Sequence, residues 1–364
     1  MVTDGRKLWL DAIRVVAAQL IVLHHLSIYG PVSDAVRAVA PGIIGWLDDY
    51  GRMAVQAFLV MGGFLFIRSR VWRSASSARA IARALAWRWQ RLFLPFYAAL
   101  VLVLLAAIPG QAWIGEDWVP KWPNLRILLA HLTGLYDYLG IEALSAGAWY
   151  VSIDLQLHAV ALGLAWLAAG VSSNPAGQRR GFLLLVALCA GASLLWINRH
   201  PGWDFQPLYF FGSFALGAAA QGLARDAERD ERWVAITVFA LALIALVIEW
   251  RLRIAVSLVC AGVLAVGVRG AGQCVDHFLR SSSLALVAWF RALQSFLGDI
   301  SYALFLVHFS VCVLANAVFV RFTDQTPMWA LGCFLAAWAG SLPLAAALHR
   351  WVERPLAKRR QSDG

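Results

Sequence analysis

Residues 10–25, with the sequence LDAIRVVAAQLIVLHH, form an apolar segment that is interrupted by one arginine and two histidines. Ionisable side chains in a membrane span cost about 3 kcal/mol or more unless they face a bundle interior or a wet cavity. Because Arg14 and His25 are eleven residues apart, close to three helical turns, they point from one face and lie about 16 Å apart along the axis. The segment therefore predicts a membrane helix with a functional polar face.

Arg14 and His25 can also be explained without a function. Arg14 can extend its side chain to the inner membrane surface, and His25 can bond a neighbouring helix without any chemical role. The shared face of the two residues favours a common function over two separate explanations.

The composition extends this interpretation from one helix to the whole chain. Of 364 residues, 61% are hydrophobic and 14% are charged, whereas charged residues make up about a quarter of soluble domains. The 18 tryptophans fit membrane interfaces, and the net charge of +10 then reports orientation rather than nucleic-acid binding. The five cysteines have no ligand-like spacing, so neither a metal site nor disulfides are predicted. The chain is predicted to be a polytopic membrane protein.

Ten apolar runs are candidates to cross about 30 Å of hydrocarbon. They lie near residues 12–30, 53–67, 92–108, 148–170, 181–196, 208–223, 233–249, 254–268, 298–320 and 328–348. Of the 31 lysines and arginines, 22 fall in alternate segments that begin with the N-terminus, which places these segments and both termini in the cytoplasm. The prediction is an all-α polytopic membrane helix bundle of about ten transmembrane helices, forming a single domain over residues 1–364.

A second polar group lies in residues 148–158, AWYVSIDLQLH. Asp154 and His158 are four residues apart and share a helix face, where a carboxylate can raise the basicity of an imidazole and fix its tautomer. The charge pattern places Asp154 in the outer half of the membrane, at a depth similar to that of His25, and Gln56 can join the same level. The alternative is an interfacial acid that only reaches water.

A third polar group lies at the cytoplasmic edge, in residues 88–97, RWQRLFLPFY. Arg88 and Arg91 share a helix face, and paired guanidinium groups suit phosphate. The preference of cytoplasmic segments for positive charge explains the same arginines without any ligand. In the second span, Gly62 and Gly63 are interpreted as helix-contact residues, because no phosphate-loop pattern surrounds them.

Seven motifs in this chain occur in order, and together they resemble the acyltransferase-3 family of integral membrane acyltransferases from end to end. The arginine and histidine of the family's first helix, separated by ten residues, correspond to Arg14 and His25. The other six segments that resemble family patterns are AFLVMGGFLF, RWQRLFLPFY, AWYVSIDLQLH, FFGSFALG, LGDISYALFLVH and HRWVERPL. Gln56 stands where the family frequently has an acid, and Asp154 stands where it usually has glutamate.

This resemblance implies a membrane O-acyltransferase that moves an acetyl or other small acyl group from acyl-CoA to a hydroxyl of a lipid-linked saccharide or exopolysaccharide. Such chemistry needs a base for the hydroxyl proton and a cationic or donor environment for the oxyanion. The resemblance implies His25 as the base or a transient acyl carrier, Asp154 as the group that orients it, and Arg14 as a further catalytic residue. Donor binding is implied at Arg14, Arg88 and Arg91, and substrate binding at Gln56, Trp149, Gln156, Ser301, Tyr302 and His308.

The resemblance also implies a location and partners. It predicts a multi-pass protein of the bacterial inner membrane, in contact with membrane lipid, a glycan acceptor and other polysaccharide-assembly proteins, with acetyl-CoA as donor and no tightly bound cofactor. A xanthan-type exopolysaccharide O-acetyltransferase is the narrower expectation. The main alternative is a proton-coupled transporter of a small molecule or glycan that uses Arg14, His25 and Asp154 as its path, although no internal repeat is visible. A scaffold role leaves the aligned Arg14 and His25 unexplained.

Overall fold

The computed structural model describes residues 4–75, 77–224, 227–271 and 285–362. These residues form helices joined by turns, and the described ranges contain no strand. The helices are α1 Asp4–Ile28, α2 Gly30–Arg37, α3 Pro41–Tyr50, α4 Val55–Ser69, α5 Ala78–Trp113, α6 Leu125–Thr133, α7 Ala148–Val171, α8 Pro175–Leu195, α9 Pro207–Gly222, α10 Arg229–Ile248, α11 Leu252–Val266, α12 Ala285–Asp299, α13 Ser301–Phe322, α14 Pro327–Leu348 and α15 Arg354–Ser362. The all-α prediction is confirmed.

Nine helical stretches within the described ranges are long and apolar enough to cross a membrane. They correspond to all but one of the ten predicted spans. The exception is the run at 208–223, where the chain forms α9, a helix of 16 residues. Such a helix is about 24 Å long, which is shorter than the hydrocarbon thickness of about 30 Å. The multi-pass membrane architecture is confirmed, while the side on which each terminus lies stays a prediction.

The chain divides into two compact units. The first unit consists of Met1–Val15, Val55–Arg88 and Ile153–Gly298, and the second unit consists of Val16–Ala54, Trp89–Ser152 and Asp299–Gly364. Each unit is therefore assembled from segments that are far apart in the sequence, so its core depends on long-range packing rather than on neighbouring turns.

In the first unit, α9 packs against α4, α8, α10 and α11, and most of its residues are buried. α4 and α9 meet backbone to backbone at two glycines. A Cβ atom on Gly63 would overlap the Phe214 carbonyl oxygen, and one on Gly217 would overlap the Val60 carbonyl oxygen. Gly63 is therefore a helix-contact residue, as the sequence predicts, because only glycine permits this approach.

In the second unit, α13 packs against α2 and α14. Asn316 on α13 closes the turn that follows α1. Its Oδ1 accepts a hydrogen bond from the Val32 N–H at 2.9 Å, and its Nδ2 donates to the Tyr29 carbonyl oxygen at 3.2 Å. The end of α1, where His25 lies, is thus fixed to α13, which carries His308.

The segment between α5 and α7 forms a folded loop around α6. Asn124 caps α6 by accepting a hydrogen bond from the Ile127 N–H at 3.0 Å. The buried His131 donates from Nδ1 to the Ile127 carbonyl oxygen at 2.8 Å and accepts at Nε2 from the Leu144 N–H at 3.0 Å, which defines a neutral tautomer. Burial lowers the pKa of His131. This ring therefore joins α6 to the chain that precedes α7.

Candidate active site

His25 and His308 form a buried pair in the second unit. Nδ1 of His25 lies 2.8 Å from Nε2 of His308, and the two rings stack with their centroids 4.8 Å apart. His25 is 8% exposed and His308 is 0% exposed. The structure therefore brings His308, which the sequence connected to the site only through the resemblance, into direct contact with His25.

Hydrogen bonding assigns the protons of both rings. Nδ1 of His308 lies 3.2 Å from the Leu304 carbonyl oxygen, which can only accept, so this nitrogen carries the proton. Nε2 of His308 then accepts a hydrogen bond from Nδ1–H of His25. Nε2 of His25 is left as an acceptor, and no group in the described ranges donates to it. His25 is thus arranged to take a proton, and His308 can stabilise the resulting imidazolium.

The neighbouring His24 makes a different contact. Its Nδ1–H donates to the Leu47 carbonyl oxygen at 2.8 Å, which ties α1 to α3. Its ring is tilted by 49° from that of His25. The two adjacent histidines therefore face different partners, as expected for successive positions on a helix.

Asp154 forms a second polar cluster, in the first unit, with Arg88 and His158. Its Oδ2 lies 2.5 Å from Nη2 of Arg88, and its Oδ1 lies 3.0 Å from Nδ1 of His158. The same His158 nitrogen lies 2.8 Å from the Asp154 carbonyl oxygen, so Nδ1 carries the proton. The predicted shared face of Asp154 and His158 is confirmed. We call these three residues the Asp154 cluster.

Aromatic rings border the Asp154 cluster. The centroids of the Phe66 and Phe214 rings lie 5.5 Å and 5.6 Å from that of His158, both nearly edge to face. Such apolar surroundings strengthen the attraction between Arg88 and Asp154 and make either charge costly without the other. The cluster is therefore a neutralised charge pair that holds an oriented imidazole.

The contact between Arg88 and Asp154 corrects their predicted depths. The charge pattern placed Arg88 at the cytoplasmic edge and Asp154 in the opposite half of the membrane. Their side chains are 2.5 Å apart, so both residues must lie at a similar depth in the membrane. The prediction that they lie in opposite halves is therefore wrong. The reason is the length of α5, whose 36 residues extend about 54 Å, so the apolar run at 92–108 does not mark the ends of this helix.

Gln56 on α4 is buried and bonded to two serines. Its Oε1 accepts a hydrogen bond from the Ser213 hydroxyl on α9 at 2.8 Å and lies 3.4 Å from the Ser257 hydroxyl on α11. The amide nitrogen has no partner within the described ranges and remains a donor. Sequence reasoning missed both serines, because a single serine in an apolar helix carries no spacing signal. It also gave His158 no role, although its spacing from Asp154 was recognised.

Arg14 and Arg91, the other two arginines predicted to bind the donor, lie at least partly exposed to solvent. The side chain of Arg14 is 29% exposed, and its Nη1 lies 3.6 Å from Oδ1 of the buried Asp11, one turn earlier on α1. Arg91 is an exposed residue of α5, three positions after Arg88. Donor binding at either residue stays a prediction.

Of the substrate-binding residues that only the resemblance predicts, Tyr302 makes a hydrogen bond between two helices. The Tyr302 hydroxyl donates to the Leu92 carbonyl oxygen at 2.9 Å, which joins α13 to α5. Ser301 is 5% exposed at the beginning of α13, whereas Trp149 and Gln156 on α7 are partly buried. Their contacts with a substrate stay predictions.

Comparison with known proteins places the chain in a family. A family model of the acyltransferase-3 type, described as an acyltransferase domain, matches residues 7–346. No curated protein and no solved structure matches the chain. The matched range contains the histidine pair, the Asp154 cluster and Gln56. The chain therefore belongs to the acyltransferase-3 family and is a membrane acyltransferase.

Proposed function

We propose that this acyltransferase moves an acetyl or other small acyl group from acyl-CoA to a hydroxyl of a lipid-linked saccharide or exopolysaccharide. The observation that carries the proposal is the buried His25, which is bonded through Nδ1 and free to accept a proton at Nε2. Family membership supplies the acyl transfer, and the histidine pair supplies a residue that can perform its proton transfer.

In the proposed reaction, the acceptor oxygen attacks the thioester carbonyl while Nε2 of His25 takes the hydroxyl proton. The C–O bond forms, the C–S bond breaks as the tetrahedral intermediate collapses, and the imidazolium returns its proton to the thiolate, giving an ester and CoA thiol. His308 accepts the Nδ1–H hydrogen bond throughout. The same Nε2 can instead attack the thioester first and form an acyl-histidine that the hydroxyl then cleaves.

The donor is proposed to bind through arginines. Arg14, Arg88 and Arg91 carry guanidinium groups, which suit the phosphates of CoA, and Arg14 is also the proposed electrostatic partner of the reacting groups. Because Arg88 is bonded to Asp154, its orientation toward a phosphate depends on that carboxylate. This makes Asp154 a positioning residue for Arg88 rather than for His25, whose Nδ1–H is bonded to His308.

The resemblance names Gln56, Trp149, Gln156, Ser301, Tyr302 and His308 for substrate binding, and we propose direct substrate contacts for the first four. The unoccupied amide donor of Gln56 supports such a contact. Both nitrogens of His308 are bonded, to Leu304 and to His25, so His308 is proposed to act through His25. The proposed location is the inner membrane of a bacterium, in contact with membrane lipid, lipid-linked glycan and polysaccharide-assembly proteins. An exopolysaccharide O-acetyltransferase of the xanthan type is the narrower proposal, with no tightly bound cofactor.

Product formation by the purified protein in lipid nanodiscs tests the proposal. The protein is given radiolabelled acetyl-CoA and an undecaprenyl-linked glycan pool, and we expect alkali-labile label in the glycan together with an equal amount of free CoA thiol. Absence of labelled glycan, combined with uptake driven by the protonmotive force in sealed vesicles, would favour the transporter instead.

A further inference from the structure

A cavity of about 840 Å³ lies in the second unit, beside the folded loop around α6. It is lined by segments within residues 117–127 and 140–146, together with Tyr29 and Phe309. Cavities of about 300–1,000 Å³ are typical of small-molecule sites. We call this space the loop cavity, and no residue of the proposed acyl transfer lines it.

One wall of the loop cavity is aromatic. The Tyr29 ring lies 5.7 Å from the Trp118 ring and 5.2 Å from the Phe309 ring, measured between centroids. The indole N–H of Trp118 donates to the Glu116 carboxylate at 2.6 Å, which holds the ring in place. A fixed indole in a partly open wall offers a flat surface to the C–H face of a sugar ring.

Polar groups on the other walls offer hydrogen bonds. Ser145 is 5% exposed and lines the cavity, where its hydroxyl can both donate and accept a hydrogen bond. Arg126 and Glu142 also line the cavity, and neither forms an ion pair with a described residue. A hydroxyl and two charged groups that line one cavity can each form a hydrogen bond with a hydroxyl of a ligand.

The balance of charge in the cavity excludes two ligand classes. Lys121 forms an ion pair with Asp117 at 3.0 Å, and the charges of Arg126 and Glu142 are equal and opposite. The cavity walls therefore have no net positive charge that would favour phosphate. The mixture of charged and hydroxyl groups does not suit an acyl chain either. Aromatic faces combined with separate donors and acceptors suit a polyhydroxylated ring.

The loop cavity adjoins the histidine pair through Tyr29. The Tyr29 ring lines the cavity, and its centroid lies 5.9 Å from that of His25, four residues earlier in the chain. His131 also fixes the position of the segment that lines the cavity, because it accepts a hydrogen bond from the N–H of Leu144, the residue before Ser145. A ligand in this cavity is therefore one side chain away from the proposed base.

We infer that the loop cavity is the acceptor-binding site and takes a saccharide, with its C–H face on Trp118 and its hydroxyls on Ser145, Arg126 and Glu142. That the bound saccharide is the acyl acceptor rests on the proposed function. The binding of a saccharide in this cavity does not depend on acyl transfer. The site adds Trp118 and Ser145 as specificity residues, which no motif of the sequence indicates.

Ligand-observed NMR on the full chain in nanodiscs tests this site without acyl-CoA. The probes are the methyl glycosides of glucose, mannose, galactose and glucuronic acid. We expect saturation transfer to at least one of them, with Trp118→Ala weakening its binding about tenfold or more and Ser145→Ala weakening it about threefold or more. Trp329→Ala and Ser341→Ala are the matched controls, because Trp329 is a half-exposed residue of α14 outside the cavity and Ser341 bonds the Ala337 carbonyl oxygen.

The outcomes separate this inference from the proposed function. No binding of any probe, or binding that Trp118→Ala and Ser145→Ala leave unchanged, would overturn the loop cavity as a saccharide site. His25→Ala should retain saccharide binding, because it removes the proposed base and leaves the walls intact. Saccharide binding that depends on Trp118 therefore supports the site even when no acylated product forms.

Discussion

The histidine pair of the second unit and the Asp154 cluster of the first unit both hold an imidazole by its Nδ1–H, but the partner of that proton differs. His25 donates to a neutral nitrogen of His308, whereas His158 donates to a carboxylate that is also bonded to Arg88. The carboxylate of the Asp154 cluster is thus already bonded to the partly buried guanidinium group of Arg88. The Asp154 cluster, which resembles an acid–histidine dyad, therefore holds a charge pair, whereas the histidine pair, which has no carboxylate, provides the available base.

The largest expected effect tests this assignment of the base. His25→Ala should lower acyl transfer about 10²- to 10⁴-fold, because a positioned general base is lost. His158→Ala should lower it less than about tenfold. His24→Ala, which removes the bond to Leu47 and leaves the hydrogen bond between His25 and His308 in place, serves as the adjacent control. Initial rates at equal membrane expression measure all three. A larger loss in His158→Ala than in His25→Ala would reverse the comparison.

Removing the carboxylate tests the other side of the comparison. Asp154→Ala leaves the partly buried guanidinium group of Arg88 without its carboxylate partner, which should destabilise the protein by up to about 3 kcal/mol. The double variant Arg88→Met with Asp154→Leu removes both charges and should recover most of the lost thermal stability. Thermal unfolding in one detergent measures both. Equal melting of the single and double variants would show that the ion pair does not carry the effect.

The contact between the two histidines can be tested separately. His308→Ala removes the acceptor of the His25 Nδ1–H, and we expect kcat to fall about 10- to 100-fold, similar to the loss when the hydrogen-bond partner of a metal-bound histidine is removed. KM for acetyl-CoA should not change, and His308→Gln, which restores an acceptor, should recover part of the rate. A change confined to KM would instead place His308 in substrate binding.

A smaller effect is expected for an exposed arginine of the proposed donor site. Arg91→Gln should raise KM for acetyl-CoA about fivefold, as expected from roughly 1 kcal/mol for an exposed ion pair, and leave KM for the acceptor unchanged. Arg37→Gln is the control, because Arg37 is paired with Asp48 at 2.9 Å outside both clusters. An unchanged KM for acetyl-CoA in Arg91→Gln would mean that Arg91 only reflects the preference of cytoplasmic segments for positive charge.

The smallest effect concerns a third histidine, which has neither a free nitrogen nor a charged partner. Burial lowers the pKa of His131 from 6.5, so below about pH 6.5 the unfolded chain binds a proton that the folded chain resists. Stability should therefore fall as the pH is lowered from 7.5 to about 5.5, by at most about 1.4 kcal/mol per pH unit from this residue. Thermal unfolding against pH, compared with His131→Asn, checks the sign. An identical pH dependence in the variant would exclude this residue as a source.

The sequence predicts the helices of this fold because apolar runs of membrane length leave few alternatives. Its local spacings also hold, since the i, i+4 pair of Asp154 and His158 meets as expected. Spacing within one helix cannot show which helices pack together. The contact between Arg88 and Asp154 spans 66 residues of sequence, and the contact between His25 and His308 spans 283. Only the ordered motifs of the resemblance pointed to His308, and none pointed to the partner of Arg88.

The contact of α4 with α9 has a consequence for how the protein is made. α9 is too short to cross the hydrocarbon unaided, but its glycine-lined face fits the backbone of α4, which is synthesised well before it. We therefore expect α9 to leave the translocation machinery only when α4 is already in place to receive it. A bulky residue at Gly217 would then act during biosynthesis, and the product would be a chain inserted with the wrong topology and degraded rather than a folded protein of low activity.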